Sequence, residues 1–353
     1  MKRIFYTILF ALAVFSVSAQ EAASGELETR LSALEAENGR IRERLFSMPK
    51  VSGFINIPYD YAVLPGGETS SSSFNIKRAR LKITGQVARK IEYCMQADFA
   101  GTPKLVDAYV KYKFKPWLGF QAGQSKTIFS LENKVYVPLV LETIEYTNSS
   151  NALAGSADVS GMKSTGRDVG ISAFGSFLHR DGYDILEYAV AVYNGNGINA
   201  KDNNKSKDFA AGININPCKS LTVAASAYFG QFGKEYYHRD RYSIALKYED
   251  SRLHFRTEYL YGSTGSATGT FETQGGYAVL GYWMLPCLRP IVRYDVLQRD
   301  TESAVLQNEY LVGLDYWPVK KHLRLQVNYT YTDYSSINYK NMHKLAVMLT
   351  AAF

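Results

Sequence analysis

The sequence predicts an all-β fold: a 16-stranded antiparallel transmembrane β-barrel with a short N-terminal helical coiled-coil segment. Three observations predict it. From residue 50 onward apolar residues recur with a period of two, in runs of about ten residues, the length at which a tilted strand crosses a bilayer. After the N-terminus, no stretch reaches the roughly 18 consecutive apolar residues that a spanning helix needs. The connections between runs alternate between tight turns and long polar segments, the pattern of outer-membrane barrels. Strands can cross a bilayer only in a closed barrel, because no water is there to satisfy the N–H and C=O groups of an open edge.

Composition agrees. The 353 residues are 21% charged and slightly hydrophilic on average, which excludes a helical membrane protein. Tyrosine and glycine each number 27 and cysteine only 3, which suits aromatic girdles and many turns.

The N-terminus reads as a processing signal. Lys2 and Arg3 are followed by an almost wholly apolar run from Ile4 to Val17. Val17-Ser18-Ala19 is a small-residue cleavage pattern, so residues 1–19 read as a signal peptide and Gln20 as the start of the mature chain. The alternative, an uncleaved membrane anchor, needs a longer apolar run.

Residues 20–48 form the helical segment. Leu27, Leu31, Leu34, Asn38, Ile41 and Leu45 are spaced by four and three in alternation, an a/d seam with one polar member. Gly39 weakens the helix by about 1 kcal/mol. A coiled coil would join identical chains, and the seam alone does not separate dimer from trimer. A lone amphipathic helix fits the same spacing. Met48-Pro49 ends it.

Residues 49–353 read as the barrel. The sixteen expected strands are 50–62, 73–87, 90–100, 105–115, 118–126, 167–178, 183–195, 207–216, 219–232, 239–249, 252–264, 271–285, 288–298, 307–317, 321–333 and 343–353. Ala88-Arg89, Pro217-Cys218, Asp250-Ser251 and Pro286-Cys287 are among the tight turns. Both termini then lie at the short-turn, periplasmic end. The 40 residues 127–166, after the fifth strand, lack a clear strand, and a gap of that length is usually functional. They are expected to fold inward and narrow the lumen; the alternative is a surface loop with short local structure. The last strand ends on Phe353, with Leu345, Val347, Leu349 and Ala351 on the same outward face. Such an ending resembles the signal read by the barrel assembly machinery.

Strand parity also sorts the charges. Residues 1–45 carry Lys2, Arg3, Arg30, Arg40, Arg42 and Arg44 against six Glu, so the barrel region holds the whole net charge of +7. Arg78, Arg80 and Lys82 share the face opposite Leu81 and Ile83. Lys111 and Lys113 on the fourth strand, Arg252 and Arg256 on the eleventh, and Arg289 and Arg293 on the thirteenth also fall on polar faces. Rows of Arg and Lys are how a pore selects anions, and the planar Arg fork suits phosphate. In the competing reading these cations pair with Asp98, Asp107, Glu92, Glu258 and Asp295 and merely hydrate the wall.

The cysteines are expected to be unpaired. Cys218 and Cys287 lie in turns four strands apart, roughly 19 Å or more, and a disulfide needs Cα atoms within about 7 Å. Cys94 is mid-strand, far from both.

Several blocks, in order, resemble the phosphate-selective porin O and P family in its Bacteroidetes form. They are Phe74-Asn75-Ile76-Lys77-Arg78-Ala79-Arg80-Leu81, Asp107-Ala108-Tyr109-Val110, the stretch from Gly123 to Glu132, Gly166-Arg167-Asp168-Val169-Gly170, and the stretch from Tyr193 to Asn199. The resemblance implies an outer-membrane porin, trimeric, passing anions such as phosphate, and it marks Lys126 as a cation at the constriction. One position departs from the family: where Glu-Arg is common in the inward loop, this chain has Glu145-Tyr146. Membrane lipid, small anionic solutes and the assembly machinery are the expected partners, with no cofactor, metal or nucleic acid. A catalytic role finds no support, since the five histidines sit in no nucleophile motif. A structural tether, with the barrel as anchor and the helical segment as periplasmic arm, fits the sequence as well.

Overall fold

A computed structural model describes residues 30–38, 48–65, 67–162, 164–303 and 305–353. The expected signal peptide, and Leu27, Ile41 and Leu45 of the heptad seam, lie outside the described residues. Residues 30–38 are helical (α1), with Leu31 and Leu34 exposed.

The rest forms one closed antiparallel barrel of sixteen strands. They are β1 (Lys50–Val63), β2 in two segments (Thr69–Phe74 and Arg78–Ala88), β3 (Ile91–Asp98), β4 (Lys104–Lys115) and β5 (Leu118–Lys126). After the inward loop come β6 (Arg167–Arg180), β7 (Tyr183–Tyr193), β8 (Asp208–Cys218), β9 (Leu221–Phe232), β10 (Tyr237–Glu249) and β11 (Leu253–Ser266). The series ends with β12 (Gly269–Tyr282), β13 (Leu288–Gln298), β14 (Gln307–Val319), β15 (Leu323–Tyr334) and β16 (Met342–Ala352). The break in β2 is small: Asn75 and Lys77 donate backbone bonds to Pro58 and Asn56, so β1 keeps its partner across it. Each strand pairs with its sequence neighbour, and β16 pairs with β1 from Phe54–Ala352 to Val63–His343. Beyond that ladder Gly53 and Phe353 exchange both backbone bonds at 3.0 Å. A Cβ on Gly53 would stand 2.7 Å from the Phe353 ring, so the seam needs glycine there.

Parity decides what each strand shows. Ile55, Ile57, Met95, Val110, Ile171, Ile244, Val292, Val312, Leu345 and Leu349 are large, apolar and exposed on the outer wall. In a soluble protein such a belt would be a liability; against lipid it is the expected surface. Aromatic pairs such as Phe177–Tyr188 and Tyr294–Tyr310 stand with ring centroids 5.7 and 5.2 Å apart.

The buried core lies inside the barrel, between wall and inward loop. Residues 127–166 fold into the lumen as expected, carrying the short helices α2 (Leu131–Val135) and α3 (Asn148–Ala154). Ile128, Phe129 and Leu153 pack on Leu260, Tyr277, Val279 and Ile291. The loop leaves through Gly166, whose φ of +72° and closeness to Asn133 exclude a side chain. The three cysteines are unpaired.

Candidate functional site

The inward loop is fastened to one side of the barrel. Arg256 on β11 donates to Glu132 at 2.8 Å and to Glu142 at 2.9 Å, all three side chains fully buried. His254, one pleat away, also meets Glu142. Arg241 on β10 grips both oxygens of Asp158 at 2.6 and 2.7 Å. Arg324 on β15 pairs with Asp315 and donates to the backbone oxygens of Leu139 and Leu141. Gln326 and Asn328 on the same face bond Glu142 and Ile144 backbone. Burial alone would raise the Glu142 and Asp158 carboxyls; Arg256 and Arg241, respectively, outweigh it and hold both below the usual carboxylate range. Removing one partner of such a pair leaves a buried charge and costs about 3–5 kcal/mol.

Two wall carboxylates do a different job. Glu258 accepts from the N–H groups of Leu131 at 2.8 Å and Glu132 at 3.2 Å. Asp295 accepts from the N–H groups of Asn148 and Ser149 and from the Ser149 hydroxyl. Each satisfies the donors that open one inward helix, α2 and α3 respectively, where negative charge also complements the helix dipole. Ser130, the N-cap of α2, adopts φ 68°, and its hydroxyl donates to Glu258 at 3.1 Å.

The opposite side stays open. Between the loop and β2–β7 lies a cavity of about 840 Å3 that runs to the short-turn end. Lys82, Lys111, Lys113, Lys126, Lys134 and Arg167 line it, with Lys90 and Lys115 at its mouth, against only Asp107, Asp184 and Glu187. A smaller cavity of about 260 Å3 on the long-loop side is lined by Lys77, Arg78, Arg80, Lys104 and Arg167, with Asp98 the one carboxylate among its lining residues. Arg167 and the inward loop separate the two. Some cations are neutralised: Arg80 pairs with Asp98 at 2.9 Å, Lys113 with Glu92 at 2.6 Å and Arg167 with Asp107 at 2.8 Å. Among the described residues, Lys82, Lys111, Lys126 and Lys134 make no ion pair with a carboxylate. Lys111 sits 4.3 Å over the Phe174 ring. Lys126 donates to the Asn133 carbonyl and lies 5.5 Å over the Tyr146 ring, so Tyr146, at the position of the family's arginine, stands beside Lys126.

The residues expected to line an anion path therefore divide. Arg78, Arg80, Lys82, Lys111, Lys113 and Lys126 do border the two cavities. Arg252 does not: it stands exposed in the short turn before β11. Arg256, Arg289 and Arg293 face inward as parity requires, but they are buried and paired. Arg289 meets Asp315 at 2.6 Å, and Arg293 meets Glu309 and the Glu145 carbonyl. Parity reads the side of the sheet; it does not tell which part of the inner wall the loop will cover. Sequence reasoning passed over Arg239, Arg241 and Arg324, whose inward parity was an available signal. Glu258 and Asp295, expected in the competing reading to pair with cations, are instead acceptors for the loop backbone.

Comparison with known proteins follows this geometry. Residues 53–135, from β1 to the end of α2, match the sequence model described as phosphate-selective porin O and P. No curated protein sequence matches the chain. Among solved structures, the barrel is similar to an anion-selective porin from Comamonas acidovorans, at 11% identity and a TM-score of 0.68, covering 87% of this chain and 99% of that one. It is also similar to OmpF of Salmonella typhi (14%, TM-score 0.64, 87% and 98%) and to the outer-membrane channel DcaP of Acinetobacter baumannii (13%, TM-score 0.59, 86% and 97%). At such identities the structures speak for the fold alone. Residues 53–135 are thus similar to the phosphate-selective porin O and P family, within a barrel whose fold is shared with solved porins.

Proposed function

We propose that the chain forms a diffusion channel that prefers anions, phosphate among them. The observation that carries the reading is the lopsided lumen. All four carboxylates of the inward loop are held by wall cations: Glu132 and Glu142 by Arg256, Glu145 by Lys77 and Asp158 by Arg241. The open side keeps Lys82, Lys111, Lys126 and Lys134 without carboxylate partners. A narrow lumen with low-dielectric walls focuses such an excess, so a few ammonium groups decide which ion enters. The mature chain starts near Gln20, its helical segment 20–48 stands in the periplasm and joins identical chains, the barrel assembles as a trimer, and Phe353 marks it for assembly.

Charge reversal in a planar bilayer tests the proposal. Lys82→Glu with Lys111→Glu shifts the reversal potential toward cations while the barrel still folds, because lumen changes tune selectivity and leave the lipid face alone. Lys126→Ala weakens the block of chloride current by phosphate. An unchanged reversal potential in the double variant would remove these lysines from the ion path, and undiminished phosphate block in Lys126→Ala would remove phosphate from the narrow part.

A further inference from the structure

Inorganic anions need charge and water to cross a pore; apolar surface contributes nothing to their passage. The larger cavity nevertheless has a largely apolar lining. Ile128, Val137, Tyr109 and Phe174 line it beside the lysines. Val137 is 39% exposed although it lies on a loop inside the barrel, and Val135 and Val140 on the same stretch are exposed to 40% and 50%. An apolar edge left open to the lumen costs free energy unless something covers it. The Lys111 ammonium lies over the Phe174 ring, so charge and apolar surface are within one small molecule's reach of each other. The cavity's volume, about 840 Å3, falls in the range of sites for small organic ligands, roughly 300–1,000 Å3.

We propose that this cavity is a transit site for amphiphilic organic anions, in which a carboxylate or sulfonate meets Lys111 while an aromatic or alkyl body lies on Phe174 and Val137. The proposal rests on the anion-channel reading and adds what that reading lacks, a preference among anions of equal charge. Because the apolar body gains contact that a bare anion cannot, such a solute dwells longer and interrupts chloride current. A site of this kind slows the solute only briefly, since the cavity is open toward the short-turn end.

The test uses the whole purified porin in planar bilayers, with benzoate and acetate as probes of equal charge. The half-blocking concentration of benzoate is expected to lie about tenfold below that of acetate, the effect of covering a modest apolar area. Val137→Ser with Phe174→Ser brings the two concentrations together. If Phe174→Ser lowers the yield of folded barrel, Val137→Ser alone still narrows the ratio. Lys111→Gln weakens block by both probes and leaves the ratio in place. Equal block by benzoate and acetate in the unaltered porin, or a ratio untouched by the serine variants, would overturn the proposal. The anion-channel reading fails separately, through a reversal potential that favours potassium over chloride.

Discussion

At the scale of single residues, the charges have two destinies. A cation covered by the inward loop becomes a fastening, and one left on the open wall is free to take part in the proposed path. Arg256 is the clearest fastening, because one guanidinium holds two carboxylates from separate parts of the loop. Arg256→Met leaves Glu132 and Glu142 buried without their partner, which weakens loop docking by about 3–5 kcal/mol. Single-channel conductance then rises and becomes noisier, while the barrel itself still assembles; conductance equal to that of the unaltered porin would show that Arg256 does not hold the loop. Lys82, which lines the larger cavity, is by the same logic a path residue in the proposed channel. Arg80, one pleat away, is a poor target for charge reversal, because a glutamate there would face Asp98 across the sheet. The sequence distinguished lumen from lipid for nearly every one of these residues, since parity is local. It could not distinguish fastening from path, because that depends on contacts between β10–β15 and a loop more than 80 residues away.

At the scale of elements, the strands were legible and the inward loop only in outline. The split of β2 was missed because Asn75–Lys77 interrupts the ladder without changing the strand's alternation. The loop's existence followed from a gap in strand patterning; its two helices did not, since α2 and α3 have five and seven residues and owe their order to Glu258 and Asp295. Docking of the loop also has a pH dependence. Glu142, Glu145 and Asp158 have carboxyls held below their usual range by Arg256, Lys77 and Arg241 against the opposing effect of burial. A depressed carboxyl stabilises the docked loop at any pH above its undocked value, and that stabilisation is lost as pH falls through the lower docked value. The three ion pairs should therefore persist through neutral and mildly acidic conditions and be lost only below the ordinary carboxylate range, about pH 4. Their loss at neutral pH would contradict this account. At the barrel seam, deleting Phe353 removes both backbone bonds to Gly53. Assembly followed by heat-modifiable gel mobility is expected to slow; assembly at the normal rate would show that β1 and β16 close without it.

At the scale of the whole molecule, the net charge of +7 resides in the barrel, and the fold distributes it unevenly. Three of the four loop carboxylates consume wall cations on β10 and β11, whereas Lys82, Lys111, Lys126 and Lys134 keep no carboxylate partner. The proposed anion preference thus depends on where the loop lies as much as on composition. The most direct test is the zero-current potential of the reconstituted porin across a potassium chloride gradient at moderate salt. The account predicts the sign set by chloride carrying the current, and a weaker potential as added salt screens the lysines. A potential of the opposite sign, set by potassium, would contradict it.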